Sequence, residues 1–264
     1  MAEFTSHIPG TFSWPELATT DQTAGVAFYR ALFGWDVNES PIGPTEVYST
    51  LTMRGKPVGA ACTLRPEETK MGMPPHWNSY VTVANCDESA KKAEALGGKV
   101  FMPPFDVMDY GRMAVIQDPT GAVFEIWQAK AHIGAMILNE PGALCWTELN
   151  THDTKAAEAF YAQLFGWGVK HSAPGAPMEY TEFSVEGTPS IGMMPMNEHM
   201  PAHVPAYWMP YFQVASCDAS TAKAKELGGK VMVGPQDIPN TGRFTIVSDP
   251  QGAMFAVFEF TERK

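Results

Sequence analysis

The sequence predicts an α+β protein of two tandem domains, each assembled from two βαβββ modules, four modules in all. Three observations predict it: a long internal repeat, strands and helices punctuated by glycine and proline, and a tight-turn signature near the end of each copy. The repeat is the strongest, since self-similarity at a fixed offset governs every other assignment. Trp14-x-Glu16-Leu17-x-Thr19-x-Asp21 recurs as Trp146-x-Glu148-Leu149-x-Thr151-x-Asp153, 132 positions later. Ala27-Phe28-Tyr29 and Leu32-Phe33-Gly34-Trp35 recur as Ala159-Phe160-Tyr161 and Leu164-Phe165-Gly166-Trp167. Leu96-Gly97-Gly98-Lys99-Val100 recurs as Leu227-Gly228-Gly229-Lys230-Val231, and Gly111-Arg112 as Gly242-Arg243. Asp118-Pro119-x-Gly121-Ala122 recurs as Asp249-Pro250-x-Gly252-Ala253. Convergent turn chemistry explains the last pair alone but not the series.

Within one copy, Phe12 to Leu17 reads as a short strand. Thr20 or Asp21 then caps a helix whose apolar stripe is Ala24, Phe28, Ala31 and Leu32, and Gly34 stands where that helix stops. Strands follow near Tyr48 to Met53 and Val58 to Leu64, separated by turn residues. A second unit opens at Tyr80 to Ala84 and has a helix from about Asp87 to Leu96. Its strands lie near Lys99 to Met102, Arg112 to Gln117 and Val123 to Gln128. Asp118-Pro119-Thr120-Gly121 makes the turn before the last strand, because Pro fixes φ and Gly permits positive φ. These boundaries give domains at 8–130 and 143–262 with a linker at 131–142.

Composition narrows the function. A chain of 264 residues with 45% hydrophobic and 18% charged residues has the material for sizeable cores. A formal net charge of -11 repels phosphate backbones, so nucleic acid is not an expected partner. No Lys/Arg run suggests a membrane-surface patch, no apolar run is long enough to span a bilayer, and the first ten residues lack a secretory pattern. Four cysteines, none in a CxxC pair, suit reduced thiols in the cytoplasm.

The module order, the Phe-Tyr…Leu-Phe-Gly-Trp helix end and the late Asp-Pro-x-Gly hairpin together resemble the vicinal oxygen chelate (glyoxalase/bleomycin-resistance/dioxygenase) superfamily. Trp-x-Glu-Leu near the start, Met73-Pro-Pro-x-Trp77-Asn78 before the second unit and the Gly111-Arg112…Asp118-Pro119-x-Gly121-Ala122 stretch add to the likeness, which covers nearly the whole chain. The resemblance implies two glyoxalase-like domains, each a half-open β-barrel with a small ligand or a metal in its hollow. It is weak for activity, because one fold hosts many chemistries.

Metal-binding members of that family use up to four inward-facing side chains, mostly His and Glu, on the first and last strands of each unit. Carried over one by one, the resemblance puts Trp14, the Gly59–Cys62 stretch, Asn78 and Glu125 at those points in the first copy. In the second it puts Trp146, the Ile191–Met193 stretch, Met209 and Ala256. An indole ligates no metal, and a carboxamide oxygen alone is a poor ligand. Glu125 is therefore the one complete ligand, and it is also the one candidate catalytic base with family support. The expectation is no cofactor, with a divalent ion, Zn²⁺ or Ni²⁺, in the first domain as the alternative.

On its strand Glu125 shares a face with Val123 and Trp127, which favours the cavity over solvent and would raise its pKa. Candidate ligand-binding residues are Trp14, Glu16, Trp77, Asn78, Arg112 and Trp127 in the first copy, and Trp146, Glu148, Met209 and Arg243 in the second. Aromatic and Met side chains at inward positions read either as ordinary core or as an apolar pocket. Glu16 and Glu148 alternate with Trp14 and Trp146 and face either the hollow or the rim. Arg112 and Arg243 either clamp an anionic ligand or pair with Asp106 and Asp237. Of seven histidines none repeats between copies, and His76, beside Trp77, lies nearest the expected pocket mouth.

Two function classes remain. One is a glyoxalase-like lyase or isomerase that abstracts a proton α to a carbonyl of a small oxygenated substrate, such as a 2-oxoaldehyde–thiol adduct. The other is a non-catalytic protein that binds or sequesters a small hydrophobic molecule, as antibiotic-resistance members do. Ring-cleaving dioxygenase chemistry needs two His and one Glu in one domain, and that set is missing. The tandem copies either pair with each other within a monomer or take part in a homodimer.

Overall fold

The computed structural model describes residues 3–44, 46–70, 72–176, 178–196 and 204–261. In the first copy the order is β1 (Phe12–Thr19), α1 (Gln22–Phe33), β2 (Asp36–Pro41), β3 (Val47–Met53), β4 (Lys56–Thr63) and a short α2 (Pro66–Lys70). The second unit follows as β5 (His76–Thr82), α3 (Cys86–Ala95), β6 (Lys99–Val107), β7 (Gly111–Gln117) and β8 (Val123–Ala129). The second copy repeats this as β9 (Leu144–Thr151), α4 (Thr154–Phe165), β10 (Gly168–His171), β11 (Thr181–Val185) and β12 (Thr188–Pro195). It ends with β13 (Tyr207–Gln213), α5 (Cys217–Glu226), β14 (Lys230–Ile238), β15 (Gly242–Ser248) and β16 (Met254–Phe260). The expected α+β class and four βαβββ modules are those observed.

Each copy forms one eight-stranded sheet, β2-β3-β4-β1-β5-β8-β7-β6 and β10-β11-β12-β9-β13-β16-β15-β14. The first strand of each unit pairs in parallel with its last strand, and the two first strands meet antiparallel in the middle. The outermost strands do not pair with each other, so each curled sheet is a half-open barrel.

Local chemistry fixes the helices. Asp21 is the cap of α1, its carboxylate accepting the Ala24 N–H (2.9 Å), and Gly34 ends the helix in the left-handed region at φ 74. Asp153 and Gly166 do the same for α4. The buried stripe of α1 is Gly25, Val26, Phe28 and Tyr29. The expected stripe through Ala24, Ala31 and Leu32 is thus rotated: Ala31 is exposed, and the helix lays its aromatic side against the other domain.

That contact shows where the cores lie. One core joins the first unit of the first copy to the last unit of the second, including Val26, Phe28 and Tyr29 with Phe212, Phe255 and Val257. The other joins Val81, Phe124 and Ile126 to Phe160, Tyr161 and Phe183. Two reciprocal latches cross this seam. Tyr29 O–H donates to Asp249 Oδ2 (3.0 Å), and Tyr161 O–H donates to Asp118 Oδ2 (2.9 Å). Trp77 Nε1 donates to the Tyr29 hydroxyl (3.1 Å), and Trp208 Nε1 to that of Tyr161 (2.9 Å). The repeated Asp-Pro-x-Gly turn thereby serves twice: Oδ1 of Asp249 accepts the N–H groups of Gln251, Gly252 and Ala253, while Oδ2 holds the other domain.

Candidate functional site: two unlike hollows

Strand alternation sorts each sheet into a face packed on helices and a face lining the hollow. In the first copy Glu16 stands opposite Asn78, Trp14 opposite Tyr80, and Tyr80 beside Glu125. Met113 pairs with Trp127 and Val115 with Glu125. These residues share the hollow. Trp77 pairs with Leu17 and so takes the opposite face, as its bond to Tyr29 requires. Trp77, a candidate ligand-binding residue, and its counterpart Trp208 are interdomain core; one residue of register separates them from the hollow. Met193 pairs with the buried Leu149 and is likewise core.

The centre of the first hollow is Glu16. Tyr48 O–H donates to its Oε2 (2.6 Å), and Tyr80 O–H (3.0 Å) and Asn78 Nδ2 (3.3 Å) donate to Oε1. Trp14 Nε1 in turn donates to the Tyr48 hydroxyl (3.2 Å). Three donors on one carboxylate complement its lone pairs. Burial first, and the Glu16 charge second, hold both phenols well above their ordinary range, so they remain donors.

Glu125 faces the same space with far less support. It is 4% exposed and accepts one backbone N–H, from Ser79 (3.1 Å). Burial first and the Glu16 charge second push its carboxyl up to about 8. Two buried acids thus share one hollow, one held by three side-chain donors and the other by a single backbone N–H.

One end of this hollow is capped by the linker. The His132 ring sits edge-on to Trp14 (4.5 Å between centroids) and 5.9 Å from Trp127, whose Nε1 donates to the His132 carbonyl (2.8 Å). Burial first, then the neighbouring His7, lower its pKa to about 4, so the imidazole is neutral. At the other end His76 Nδ1 donates to the Pro74 carbonyl (2.8 Å) and Nε2 lies 3.0 Å from Asn78 Oδ1. Burial, then Glu16, push the Cys62 thiol far up, which makes it a poor nucleophile.

The second hollow has the same carboxylate cluster in other surroundings. Tyr180 and Tyr211 hydroxyls donate to Glu148 (2.9 and 2.8 Å), and Trp146 Nε1 donates to Tyr180 (3.0 Å). Burial raises the Glu148 pKa. The ring of Tyr180 is admitted by Gly192, where a Cβ would collide with its hydroxyl and with the Trp146 nitrogen. The neighbours are otherwise exchanged: Met209 stands opposite Glu148 where Asn78 faced Glu16, and Ala256 stands beside Tyr211 where Glu125 stood beside Tyr80.

The donor set does not fit a divalent metal in either hollow. At the four points of the first are Trp14, whose indole donates rather than accepts, Ala60 opposite Glu16, Asn78 and the singly bonded Glu125. No group of three or more His, Cys, Asp or Glu able to hold an ion occurs among the described residues, and His199 and His203 lie outside them. Arg112 and Arg243 do not enter the hollows. Arg112 pairs with Asp87 (2.8 Å) and Asp106 (3.5 Å), and Arg243 with Asp218 (3.0 Å) and Asp237 (2.8 Å). Asp87 and Asp218 begin α3 and α5, so these arginines lie on the helix face and staple helix to sheet. The glycines before them have a different role: the Trp127 ring lies where a Gly111 side chain would be, and the Phe258 ring crowds that position at Gly242.

Sequence reasoning missed the phenols. Tyr48/Tyr180 and Tyr80/Tyr211 repeat at offsets of 132 and 131, the signal that would have found them. His132, in the non-repeating linker, carried no such signal.

The Glyoxalase/Bleomycin resistance protein/Dioxygenase superfamily matches residues 11–126 and again 143–257. The chain belongs to that superfamily. It is 43% identical over 251 residues to a Mycobacterium tuberculosis protein named "Putative glyoxylase CFP32", covering 95% of each chain. It is 33% identical over 268 residues to the anthracycline biosynthesis protein DauV of Streptomyces sp. (strain C5), covering 98% of this chain and 96% of that one. In fold it is similar to the Mn(II)-bound glyoxalase of Novosphingobium aromaticivorans, with a TM-score of 0.67 and 13% identity over 95% of this chain and 82% of that one. It is also similar to the 2,3-dioxygenase LapB of Pseudomonas sp. KL28, with a TM-score of 0.65 and 14% identity over 98% and 93%.

Proposed function

We propose that the first hollow carries out metal-independent proton transfer on a small oxygenated substrate, a lyase- or isomerase-type reaction. The observation behind this reading is Glu125: a buried carboxyl with a pKa of about 8 and one hydrogen bond, on the face of β8 that lines the hollow. Its ionised form takes a proton from the carbon beside a carbonyl. The electron pair moves onto the carbonyl oxygen, the proton of the hydroxyl on the first carbon passes to that oxygen, and the same carboxyl returns its proton to the former carbonyl carbon as the first carbon becomes the new carbonyl. The second N–H of Asn78 Nδ2, the one not given to Glu16, faces the same space and is the donor at hand for the developing oxyanion. Burial keeps most of Glu125 protonated at neutral pH, and the ionised form grows as pH rises through about 8. Trp14, Trp127 and neutral His132 form the apolar end that receives the carbon frame. The names of the relatives, a glyoxylase and an anthracycline biosynthesis protein, agree with an oxygenated small molecule.

A hemithioacetal of methylglyoxal with a low-molecular-weight thiol tests the proposal, followed by proton NMR in D₂O. Solvent deuterium should enter the carbon position with wild-type protein stripped by chelator, and its rate should fall by about 10²-fold or more in Glu125→Gln. Loss of activity on chelation would sink the metal-free mechanism.

The alternative is a binder without turnover. The absence of an acid at Ala256 favours it for the second hollow. Stoichiometric binding with no exchange above buffer would extend it to the first. The reciprocal seam supports a monomer whose domains act as a pseudo-dimer, and four free cysteines suit the cytoplasm. No helix among the described residues is long and apolar enough to cross a membrane. A sedimentation mass of two chains would overturn the monomer.

A further inference from the structure

The amide of Asn78 is held at both ends. Its Nδ2 donates to Glu16 Oε1 (3.3 Å), and its Oδ1 lies 3.0 Å from His76 Nε2. A carboxylate only accepts, so the first contact fixes which end of the amide faces Glu16. The oxygen is left facing the imidazole, and Nε2 carries the proton between them. Nδ1 of the same ring faces the Pro74 carbonyl (2.8 Å), a second acceptor, so a ring that makes both contacts is the imidazolium. His76 and Asn78 are alternate residues of β5, opposite Ala18 and Glu16 of β1, and both lie on the hollow face.

Rotation of an asparagine about its last side-chain bond is soft and roughly two-fold, and a half-turn exchanges oxygen for nitrogen. One contact leaves that rotation open, whereas two contacts close it. The bond from His76 to Oδ1 therefore decides where the second Nδ2 proton points. Accepting a proton at Oδ1 also polarises the amide, which strengthens its N–H as a donor.

The second copy supplies a control within the same chain. At the places of His76, Asn78 and Glu125 stand Tyr207, Met209 and Ala256. β13 begins at Tyr207 as β5 begins at His76, and Pro205 matches Pro74, so the strand starts correctly without an imidazole. Glu148 keeps both its tyrosines with no amide beside it. Neither the strand nor the carboxylate cluster thus requires the His76–Asn78 pair, and the pair is missing from the hollow that lacks the second acid.

We infer that His76 is a positioning residue: its Nε2 proton holds the Asn78 amide in the one orientation that presents an N–H, rather than an oxygen, to the substrate oxyanion. The catalytic consequence rests on the proton-transfer reading of the first hollow, whereas the tether itself rests on the amide geometry alone.

Deuterium exchange into the methylglyoxal hemithioacetal tests the consequence. His76→Leu should lower kcat about tenfold and change KM by less than about twofold, because substrate binding is kept and a transition-state donor is misplaced. His76→Gln, whose amide donates to the same oxygen, should recover most of that loss. In an Asn78→Ala background His76→Leu should cost nothing more, since its effect passes through the missing amide. Equal losses in His76→Leu and His76→Gln, or costs that add in the double variant, would overturn the inference. The Asn78 side-chain amide gives a second readout that needs no turnover, by ¹H–¹⁵N NMR, assigned by its disappearance in Asn78→Asp. Wild type and His76→Gln should show a rigid amide with two distinct proton signals, and His76→Leu a mobile one. An amide equally rigid in His76→Leu would overturn the inference whether or not the wild type turns over. A wild type without exchange, whose amide is nonetheless loosened by His76→Leu, would instead overturn the proton-transfer reading and leave the tether standing. Thermal melts verify folding, and His76→Ala serves if His76→Leu does not fold.

Discussion

The two hollows have the same frame and opposite contents. Each holds a buried glutamate bound by two tyrosines and braced by a tryptophan, Glu16 in one and Glu148 in the other. Around that shared cluster the first hollow adds a second acid, an amide and two histidines, whereas the second adds methionine, rings and a lone asparagine. The shared part is therefore architectural: it ties β1 to β3 and β5, and β9 to β13 and to the residue that precedes β11, without deciding chemistry. What differs is a handful of positions on the faces of β4, β5, β7 and β8 and their counterparts. A duplicated fold can thus hold its cluster fixed while one copy keeps a titrating group and the other loses it.

The comparison is broken most strongly through pH. Glu125 has a folded pKa of about 8, above its unfolded value of 4.5, so the unfolded chain releases its proton first as pH rises. Stability is therefore lost between pH 4.5 and 8. Glu125→Gln should nearly match wild type at pH 4.5 and exceed it by about 5 kcal/mol at pH 9, by urea denaturation at each pH. The second domain, with alanine at this position, offers no such term. His132 works in the opposite direction: its folded pKa of about 4 lies below 6.5, so its contribution is lost as pH falls between those values.

A second break exploits the floor of each hollow. Gly192→Ala places a methyl against Tyr180 and Trp146 and should cost about 2 kcal/mol. Ala60→Gly, the mirror change, should cost about 1 kcal/mol, since no ring is displaced. Equal costs in paired denaturation curves would show that the two clusters are not differently packed.

The smallest effect sharpens the coupling between the two acids. Removing the Glu16 charge with Glu16→Gln should shift the inflection of the Glu125 pH–rate profile below 8, because the second cause of the elevation is gone. An unmoved inflection would leave burial as the whole explanation.

Much of this was legible in the sequence. The repeat, the Asp21 cap and the Asp-Pro-x-Gly turns specify the modules because each is a local signal with a local cause. Glu125 in the hollow followed from its alternation with Trp127. What sequence reading could not set was register. Trp77 and Asn78 are adjacent, and only strand pairing reveals that the indole goes to the domain seam and the amide to Glu16. The arginines failed for a related reason: an anion clamp and a helix staple use the same guanidinium, and the deciding acids, Asp87 and Asp218, lie 25 residues away in sequence. The orientation of α1 was misjudged because its true partner is the other domain.

The Tyr29–Asp249 latch has a cost in time. Its ends are 220 residues apart. At ribosomal speeds of about 5–20 residues per second, α1 emerges roughly ten to forty seconds before the turn that receives it. Throughout that interval Val26, Phe28 and Tyr29 lack the cover of Phe212, Phe255 and Val257, while the second latch, between Asp118 and Tyr161 and only 43 residues apart, is already within reach. The nascent chain therefore closes its inner half first and waits with its outer half open. Synthesis rate and chaperone supply thus become part of how much of this protein a cell obtains.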